Sequence, residues 1–154
     1  MTLILLTGAT GKTGGEAARQ LVKKGARLRA LVRNADKAAT LQAAGVELVV
    51  GDIGDAATVQ RALKGVEKAL LILPNGRQQQ AHETQFTDLA RTAGVKHLVK
   101  MSSMEAVARA RTPIPQAHWA VEEHIRASGI SWTMVKPNFF MQNLLASAGS
   151  IKAQ

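Results

Sequence analysis

Short apolar segments rich in β-branched residues alternate along this chain with segments whose apolar residues recur at helical spacing. This alternation predicts β-α-β units, in which parallel strands are joined by crossover helices. Six strands joined by five crossovers fit an α/β fold with a doubly wound parallel sheet, the Rossmann arrangement. The predicted strands are Leu3–Thr7, Arg27–Val32, Glu47–Val50, Lys68–Leu73, His97–Met101 and Ser131–Lys136.

Each of the five predicted helices is followed by a glycine, the residue that most readily adopts the left-handed conformation closing a helix. Asp36 and Asp55 stand at positions where a carboxylate would cap the following helix. Neither a repeat nor a linker divides the chain, so residues 1–154 are expected to form a single domain. The predicted helices are Lys12–Lys24, Asp36–Ala44, Ala56–Lys64, Gln78–Ala93 and Pro115–Ser128.

The composition narrows the class of protein. A chain of 154 residues is long enough to bury a core without metal or disulfide support, and the lack of cysteine rules out disulfides and thiolate chemistry. The N-terminus lacks the basic start and long apolar stretch of a secretion signal, and no segment approaches the ~20 apolar residues of a membrane span. We therefore expect a soluble, cytoplasmic protein with no membrane partner.

The formal net charge of +9 raises the question of nucleic-acid binding, because Lys and Arg side chains neutralise phosphates. The basic residues are densest between Arg19 and Lys37. Aromatic residues make up only 3% of the chain and Tyr is absent, so platforms for base stacking are scarce. A solvated basic face is the preferred interpretation, and nucleic acid is disfavoured as a partner.

A glycine-rich stretch, "TGATGKTGG", follows the first predicted strand. Its Gly-Lys-Thr triplet invites comparison with the phosphate loop of nucleotide-hydrolysing enzymes. That loop needs a second glycine, five residues before the glycine of the triplet. Leu6 occupies that position. The spacing therefore argues against a triphosphate site.

The glycines present, Gly8, Gly11 and Gly14, fit a tight strand-to-helix turn that brings the backbone close to a pyrophosphate. The N–H groups at the start of the helix would then face the phosphates. A purely structural turn is the alternative, but its place in the first β-α unit favours a dinucleotide loop. The neighbours expected to assist it are Thr10, Lys12 and Thr13.

The end of the second strand distinguishes between the two nicotinamide dinucleotides. An acidic residue there would accept hydrogen bonds from the ribose of NAD, whereas an arginine favours the 2′-phosphate of NADP. The residue is Arg33, so NADP (NADPH) is predicted over NAD. Asp52, at the end of the third strand, is expected near the adenine.

The motifs "TGATGKTGG", "LVRN", "GDIGD", "LILPN", "KMSSMEA" and "SGISWTMVKPNFFMQN", in this order, resemble the NmrA-like branch of the atypical short-chain dehydrogenase/reductase family. That branch includes NADPH-dependent quinone and isoflavone-type reductases and redox-sensing regulators. The resemblance covers essentially the whole chain. Relatives continue beyond the sixth strand into a substrate lobe that this sequence does not include.

The resemblance also implies a set of cofactor contacts. The glycine loop, Arg33 and Asp52 would bind the adenine half and the phosphates, while a second group of residues would line the nicotinamide and substrate side. The implied contacts are Gly8, Thr10, Gly11, Lys12, Thr13, Gly14, Arg33, Asp52, Leu73, Pro74, Met101, Ser102, Pro137, Asn138 and Phe139.

Ordinary members of the wider superfamily use a Tyr and a Lys for proton transfer, which this chain without Tyr cannot do. At the position where some reductase relatives place a lysine, this chain has His118. Glu122 lies one helical turn later and is expected to orient or charge the imidazole. With a pKa near neutrality, His118 would be the catalytic residue that protonates a quinone; a structural histidine is the alternative.

Two functions therefore stay open at this stage. One is hydride transfer from NADPH to a quinone-like small molecule, and the other is a non-catalytic NADP(H) sensor that binds protein partners. No metal site is expected, because the remaining histidines share no ligand spacing. The sequence leaves the oligomeric state undecided.

Overall fold

The protein is described by a computed structural model that covers residues 2–138 and 140–141. All of the predicted strands and helices are present, with some bounds shifted. The strands are β1 (Leu3–Thr7), β2 (Arg27–Val32), β3 (Glu47–Val50), β4 (Lys68–Leu71), β5 (His97–Met101) and β6 (Ser131–Val135). The helices are α1 (Lys12–Lys23), α2 (Ala39–Ala43), α3 (Ala56–Leu63), α4 (Gln79–Thr92) and α5 (Pro113–Ala127), with a 3-10 turn over Asp36–Ala38 before α2.

The residues described form a six-stranded sheet with the order β3-β2-β1-β4-β5-β6, and each neighbouring pair is parallel. This is the doubly wound order of the Rossmann fold, so the predicted fold class is confirmed. The chain reverses its direction of winding between β1 and β4. In such sheets ligands bind at the carboxyl ends of the strands beside this reversal.

Two apolar cores lie on opposite faces of the sheet. The larger one packs α3, α4 and α5 against the central strands, with Phe86, Leu98 and Ile125 fully buried. The smaller one packs α1 against β1 and β2 through Ala18 and Leu28. Burying one large apolar side chain stabilises a fold by about 1.5–3 kcal/mol, so these cores hold the strand ends in fixed positions.

The fourth strand is two residues shorter than predicted. The Thr7 hydroxyl donates to the carbonyl oxygen of Ile72 at 2.9 Å and accepts from the Ile72 N–H at 2.8 Å. Because a side chain takes both backbone groups of Ile72, the ladder between β1 and β4 ends at the Leu6–Leu70 pair. The sheet consequently opens between these two strands at its carboxyl edge.

The expected capping role of Asp36 is wrong. The Asn34 side chain accepts hydrogen bonds from the N–H groups of Asp36 and Lys37, at 2.8 Å and 3.3 Å, and this turn starts the 3-10 segment. The capping role of Asp55 is confirmed, since its carboxylate accepts from the N–H groups of Ala57 and Thr58 at the start of α3. Helix α5 begins two residues earlier than predicted, at a proline, whose missing N–H needs no partner in a first turn.

Candidate active site

The turn between β1 and α1 is packed too closely for side chains. Gly8 has a φ of 65°, and a Cβ placed there would lie 2.7 Å from the carbonyl oxygen of Ile72. A Cβ on Gly14 would overlap the carbonyl oxygen of Gly8. The Gly11 N–H donates to that same oxygen at 2.9 Å, which closes the turn. The loop therefore presents bare backbone, as a group approaching it closely would require.

Helix α1 starts at Lys12, and within the described residues no side chain caps it. The first N–H groups of a helix lack partners inside the helix, and the helix dipole adds partial positive charge there. Its first turn holds no acidic residue in the described chain, and the Lys12 side chain is exposed. This combination suits an anionic group such as a phosphate.

Three cavities lie along the carboxyl edge of the sheet and share Ile72, Leu73 and Pro74 in their walls. We call them together the groove. It consists of a loop cavity of 870 Å³, a β6-side cavity of 860 Å³ and a cavity of 530 Å³ that we name the adenine-side cavity after the predicted role of Asp52. The loop cavity is lined by the glycine turn, including all six predicted residues Gly8, Thr10, Gly11, Lys12, Thr13 and Gly14. The shared wall follows β4, where the sheet opens.

The adenine-side cavity contains Arg33, predicted to select NADP, and Asp52, predicted to lie near the adenine. Arg33 is exposed at the end of β2, and Asp52 lies after β3, where its Oδ1 accepts the Gly54 N–H at 2.7 Å. Sequence reasoning gave His82 no role, yet it also lines this cavity, together with Arg77. Their positions follow from the entry into α4, which no local motif in the sequence marks.

The β6-side cavity contains the residues predicted to face the nicotinamide and the substrate. Met101 and Ser102 reach it from β5, His118 from α5, and the chain after β6 supplies the far wall. Phe139 falls outside the described residues. The predicted residues of that far wall that the structure describes here are Pro137 and Asn138.

His118 is buried, and its contacts differ from the prediction. Its Nε2 lies 3.1 Å from Asn75 Oδ1, and its Nδ1 lies 3.2 Å from the Lys100 ammonium. Glu122, which was expected to orient the ring, is bonded elsewhere: it accepts from Ser102 at 2.6 Å and pairs with Arg126 and Lys136. Glu122 therefore does not orient the ring through a hydrogen bond, although its charge does favour the protonated imidazole, as expected.

A buried ion pair behind His118 was missed by the sequence analysis. Lys100 Nζ lies 2.7 Å from Glu83 Oε1, and both side chains have 0% exposure. Burial lowers the pKa of Lys100 and raises that of Glu83, while each partner's charge acts in the opposite direction. One signal was available: side chains alternate between the two faces of a strand, so Lys100 points to the same face of β5 as the apolar Leu98.

The electrostatic setting of His118 overturns its expected charge. Burial, followed by the nearby Lys100 cation, lowers the pKa of His118 to about 4, against the opposing charge of Glu122. The ring is therefore neutral at pH 7. The expected near-neutral pKa is wrong, because the ring is buried, its nearest charged group is a cation, and the Glu122 carboxylate has other partners.

Glu122 connects α5 to the end of β6 and to Ser102. Burial raises its pKa, but hydrogen bonds from Ser102, Lys136 and Arg126 outweigh burial and hold it below the ordinary 4.5. A carboxyl group with a lowered folded pKa stabilises the fold above its unfolded pKa, and this stabilisation is lost as pH falls through the folded value. Glu122 thus contributes most at neutral pH.

Replacing Glu122 by Gln is expected to lower the free energy of unfolding at pH 7 by about 2 kcal/mol, the scale of hydrogen bonds to a charged group. The difference from wild type should shrink as pH falls below the ordinary pKa of 4.5 and through the lowered pKa of the folded carboxyl. Urea unfolding at several pH values measures both effects. Glu123→Gln, at an exposed position beside the same Arg126, is the control and should change little. A pH-independent difference would contradict the assigned role.

Residues 2–138 and 140–141 lack two further kinds of feature. No group of three or more His, Asp or Glu side chains there is arranged to hold a metal ion. In the same residues, no helix has the length and apolar character needed to cross a membrane.

The sequence profile of the NmrA-like family matches residues 1–154. The chain belongs to the NmrA-like family. The resemblance drawn from the motifs is thereby confirmed. An NAD(P)H azoreductase from Xenophilus azovorans is 38% identical over 152 residues, an alignment that covers 97% of this chain and 52% of that protein.

Two solved structures of NmrA-like relatives hold a dinucleotide. The triphenylmethane reductase of Citrobacter sp. complexed with NADP(H) superposes with a TM-score of 0.84 at 32% identity, covering 96% of this chain and 55% of that one. The NADPH-dependent quinone oxidoreductase of Escherichia coli complexed with NADPH gives 0.83 at 31% identity, covering 96% and 53%. The predicted preference for NADP agrees with both.

The chain spans about half the length of the curated relatives it matches. The alignment with the azoreductase spans 97% of this chain. The activities of these relatives are therefore properties of chains about twice as long as the part matched here.

Proposed function

We propose that this chain binds NADPH in the groove and reduces a quinone or a similar conjugated acceptor. The observation that carries the proposal is the groove itself, whose three cavities share one wall and are lined by Arg33, the glycine turn and His118. Relatives described as NAD(P)H azoreductase and NADPH-dependent quinone oxidoreductase support the same reaction class.

The residues present fit a dinucleotide. The glycine turn leaves space that a Cβ would fill at Gly8 and Gly14, and the uncapped start of α1 offers N–H groups to a pyrophosphate. Arg33 would take the 2′-phosphate through charge-assisted hydrogen bonds, and Asp52 would accept from the adenine amine. Leu73, Pro74, Met101, Ser102, Pro137 and Asn138 would line the nicotinamide side.

When bound, NADPH supplies a hydride, which carries two electrons to the acceptor and leaves NADP⁺, while a proton from solvent completes the reduction. The negative charge that develops on the acceptor oxygen needs a hydrogen-bond donor in the β6-side cavity. His118 is neutral at pH 7 and would act as that donor through an N–H group. In this role it polarises the acceptor and does not need to be an imidazolium.

The proposal is tested by following NADPH oxidation with a panel of quinones, alongside a fluorescence titration of NADPH binding. We expect turnover with at least one quinone, and a kcat reduced at least about tenfold in His118→Ala with NADPH affinity nearly unchanged. His124→Ala, on the outer surface beside Asp88, is the matched control and should retain activity. Failure of the wild-type protein to bind NADPH would rule out the proposal.

The cofactor preference has its own test. Arg33→Ala is expected to raise the Kd for NADPH by about 10–100-fold, which is the effect of losing one or two hydrogen bonds to a charged phosphate. The Kd for NADH should change by less than about threefold, because NADH lacks that phosphate. Isothermal titration with both dinucleotides gives the comparison, with the exposed Lys24→Ala as a control for net charge. Equal losses would place the 2′-phosphate elsewhere.

A non-catalytic NADP(H) sensor that binds protein partners is the second candidate. Two observations favour it. The chain has no Tyr, and His118 is not an imidazolium at neutral pH and so is not a strong proton donor. NADPH binding with no turnover of any acceptor would select this candidate over the first. The single-domain extent, the cytoplasmic location and the disfavoured nucleic-acid binding stay predictions.

A further inference from the structure

Three elements bring ionisable side chains together behind the β6-side cavity. Lys100 comes from β5, Glu83 from α4 and His118 from α5. The Lys100 ammonium faces three acceptors: Glu83 Oε1 at 2.7 Å, the Met101 carbonyl oxygen at 2.6 Å and His118 Nδ1 at 3.2 Å. An ammonium has three N–H donors and no acceptor, so each of its protons has a partner.

This arrangement determines where the imidazole carries its proton. A nitrogen that accepts from an ammonium has no proton of its own, so Nδ1 is the bare nitrogen and the neutral ring carries its proton on Nε2. Nε2 lies 3.1 Å from Asn75 Oδ1, which accepts that proton's hydrogen bond. The Gln79 amide nitrogen lies 3.3 Å from both ring nitrogens and therefore does not discriminate between them.

The Nε2 atom is directed toward the groove. Asn75 is exposed and lines both the adenine-side and the β6-side cavities, and His118 itself lines the latter. An acceptor oxygen that took the place of the Asn75 carbonyl would meet an N–H donor. If Nδ1 carried the proton instead, the acceptor oxygen would meet the lone pair of Nε2, which repels developing negative charge.

We propose that Lys100 is a positioning residue for His118: its buried ammonium occupies Nδ1, keeps the ring uncharged and makes it present Nε2–H to the β6-side cavity. The catalytic use of that N–H rests on the proposed function, whereas the position of the proton does not. Lys100 itself reaches the acceptor only through the ring.

The charged groups around the ring favour this assignment from every packed element. Lys100 is the nearest, on β5, and its cation opposes a second positive charge on the imidazole. Glu83, on α4, is paired with Lys100. Glu122, on the same helix as His118, would favour a charged ring, but it is bonded to Ser102, Arg126 and Lys136. The cation is therefore the neighbour that acts directly on the ring nitrogen.

The position of the proton is read from the ¹⁵N chemical shifts of the His118 ring, recorded on wild-type protein between pH 4 and 8. We expect a bare Nδ1, a protonated Nε2 and no charging of the ring until about pH 4. The proposal would be overturned by the wild-type protein alone if the ring carried its proton on Nδ1 or became charged near the ordinary pKa of 6.5.

The role of Lys100 is tested with the double variant Lys100→Met with Glu83→Gln, which leaves neither charge unpaired in the core. In this variant the pKa of His118 should rise from about 4 toward 6.5, and the preference for Nε2–H should weaken. The kcat should acquire a new step in the same pH range. Lys96→Met, which removes an exposed lysine paired with Glu67, is the matched control and should leave the ring unchanged.

Two outcomes separate this proposal from the proposed function. An unchanged titration of His118 in the folded double variant would refute the role of Lys100, whatever the activity. Absent quinone turnover with the expected ring shifts would refute the reductase function and leave the positioning role intact.

Discussion

Replacing Gly14 by Ala is expected to lower the free energy of unfolding by about 3 kcal/mol, at the upper end of the usual cost of overpacking. The added Cβ would overlap the carbonyl oxygen of Gly8 and come within 2.6 Å of its carbonyl carbon. Backbone atoms cannot rotate away as a flexible side chain does, so helix α1 must shift relative to β1. The same shift would move the N–H groups at the helix start, and NADPH affinity should fall about 10–100-fold.

The comparison with Gly15→Ala makes this prediction specific. Gly15 lies on the same helix, but its Cβ would stand 3.2 Å from the Ala9 carbonyl oxygen, a contact that a shift of a few tenths of an ångström relieves. Its strain is partly offset by the better helix propensity of Ala, about 1 kcal/mol. Urea unfolding and NADPH titration of both variants provide the measurement. Equal stabilities for the two variants would show that the turn is not sterically limited.

Removing Lys100 alone, by Lys100→Met, is expected to destabilise the fold by about 3–5 kcal/mol. The substitution leaves the Glu83 carboxylate in the core without its cation, beside the Gln79 amide, which donates to Oε2 at 3.4 Å. A buried carboxylate without its cation must either remain charged at high cost or take up a proton. The pKa of Glu83, already raised by burial, should then rise further.

A double-mutant cycle distinguishes loss of the ion pair from loss of packing. Lys100→Met combined with Glu83→Leu should recover most of the stability, because a buried pair is replaceable by apolar groups of similar volume. Lys96→Met, at an exposed pair with Glu67, should cost at most about 1 kcal/mol. Urea unfolding of the wild type, the two single variants at Lys100 and Glu83 and the double variant gives the coupling energy of the pair. Additive losses in the double variant would mean that packing, and not charge, dominates at this position.

The strand pattern was predictable because each strand combines a local apolar run with a flanking turn signal. The two missing residues at the end of β4 were not, since the Thr7 hydroxyl that replaces the ladder bonds lies 65 positions away along the chain. The capping side chain before α2 is Asn34 and not Asp36, and the sequence distinguishes poorly between the two. Both side chains are suitable acceptors, and only the turn geometry decided between them.

The groove was predictable to a similar degree. Its glycine turn and Arg33 occupy sequence positions fixed by the first β-α-β unit, so spacing alone located them. The environment of His118 was not accessible in this way, because Lys100 and Glu83 reach it from two other elements. Spacing along α5 suggested Glu122 as the partner, yet the ring and that carboxylate lean toward different neighbours across the core.

The wall shared by all parts of the groove, Ile72 to Pro74, constrains how such a chain can diversify. A substitution at Pro74 would alter the surroundings of the proposed cofactor and of the proposed acceptor together, so a gain for one is tied to a change for the other. Met104 and Ile114 line only the β6-side cavity and neither of the other two. New acceptor ranges should therefore arise first at these two positions, where variation leaves the glycine turn and the surroundings of Arg33 unaltered.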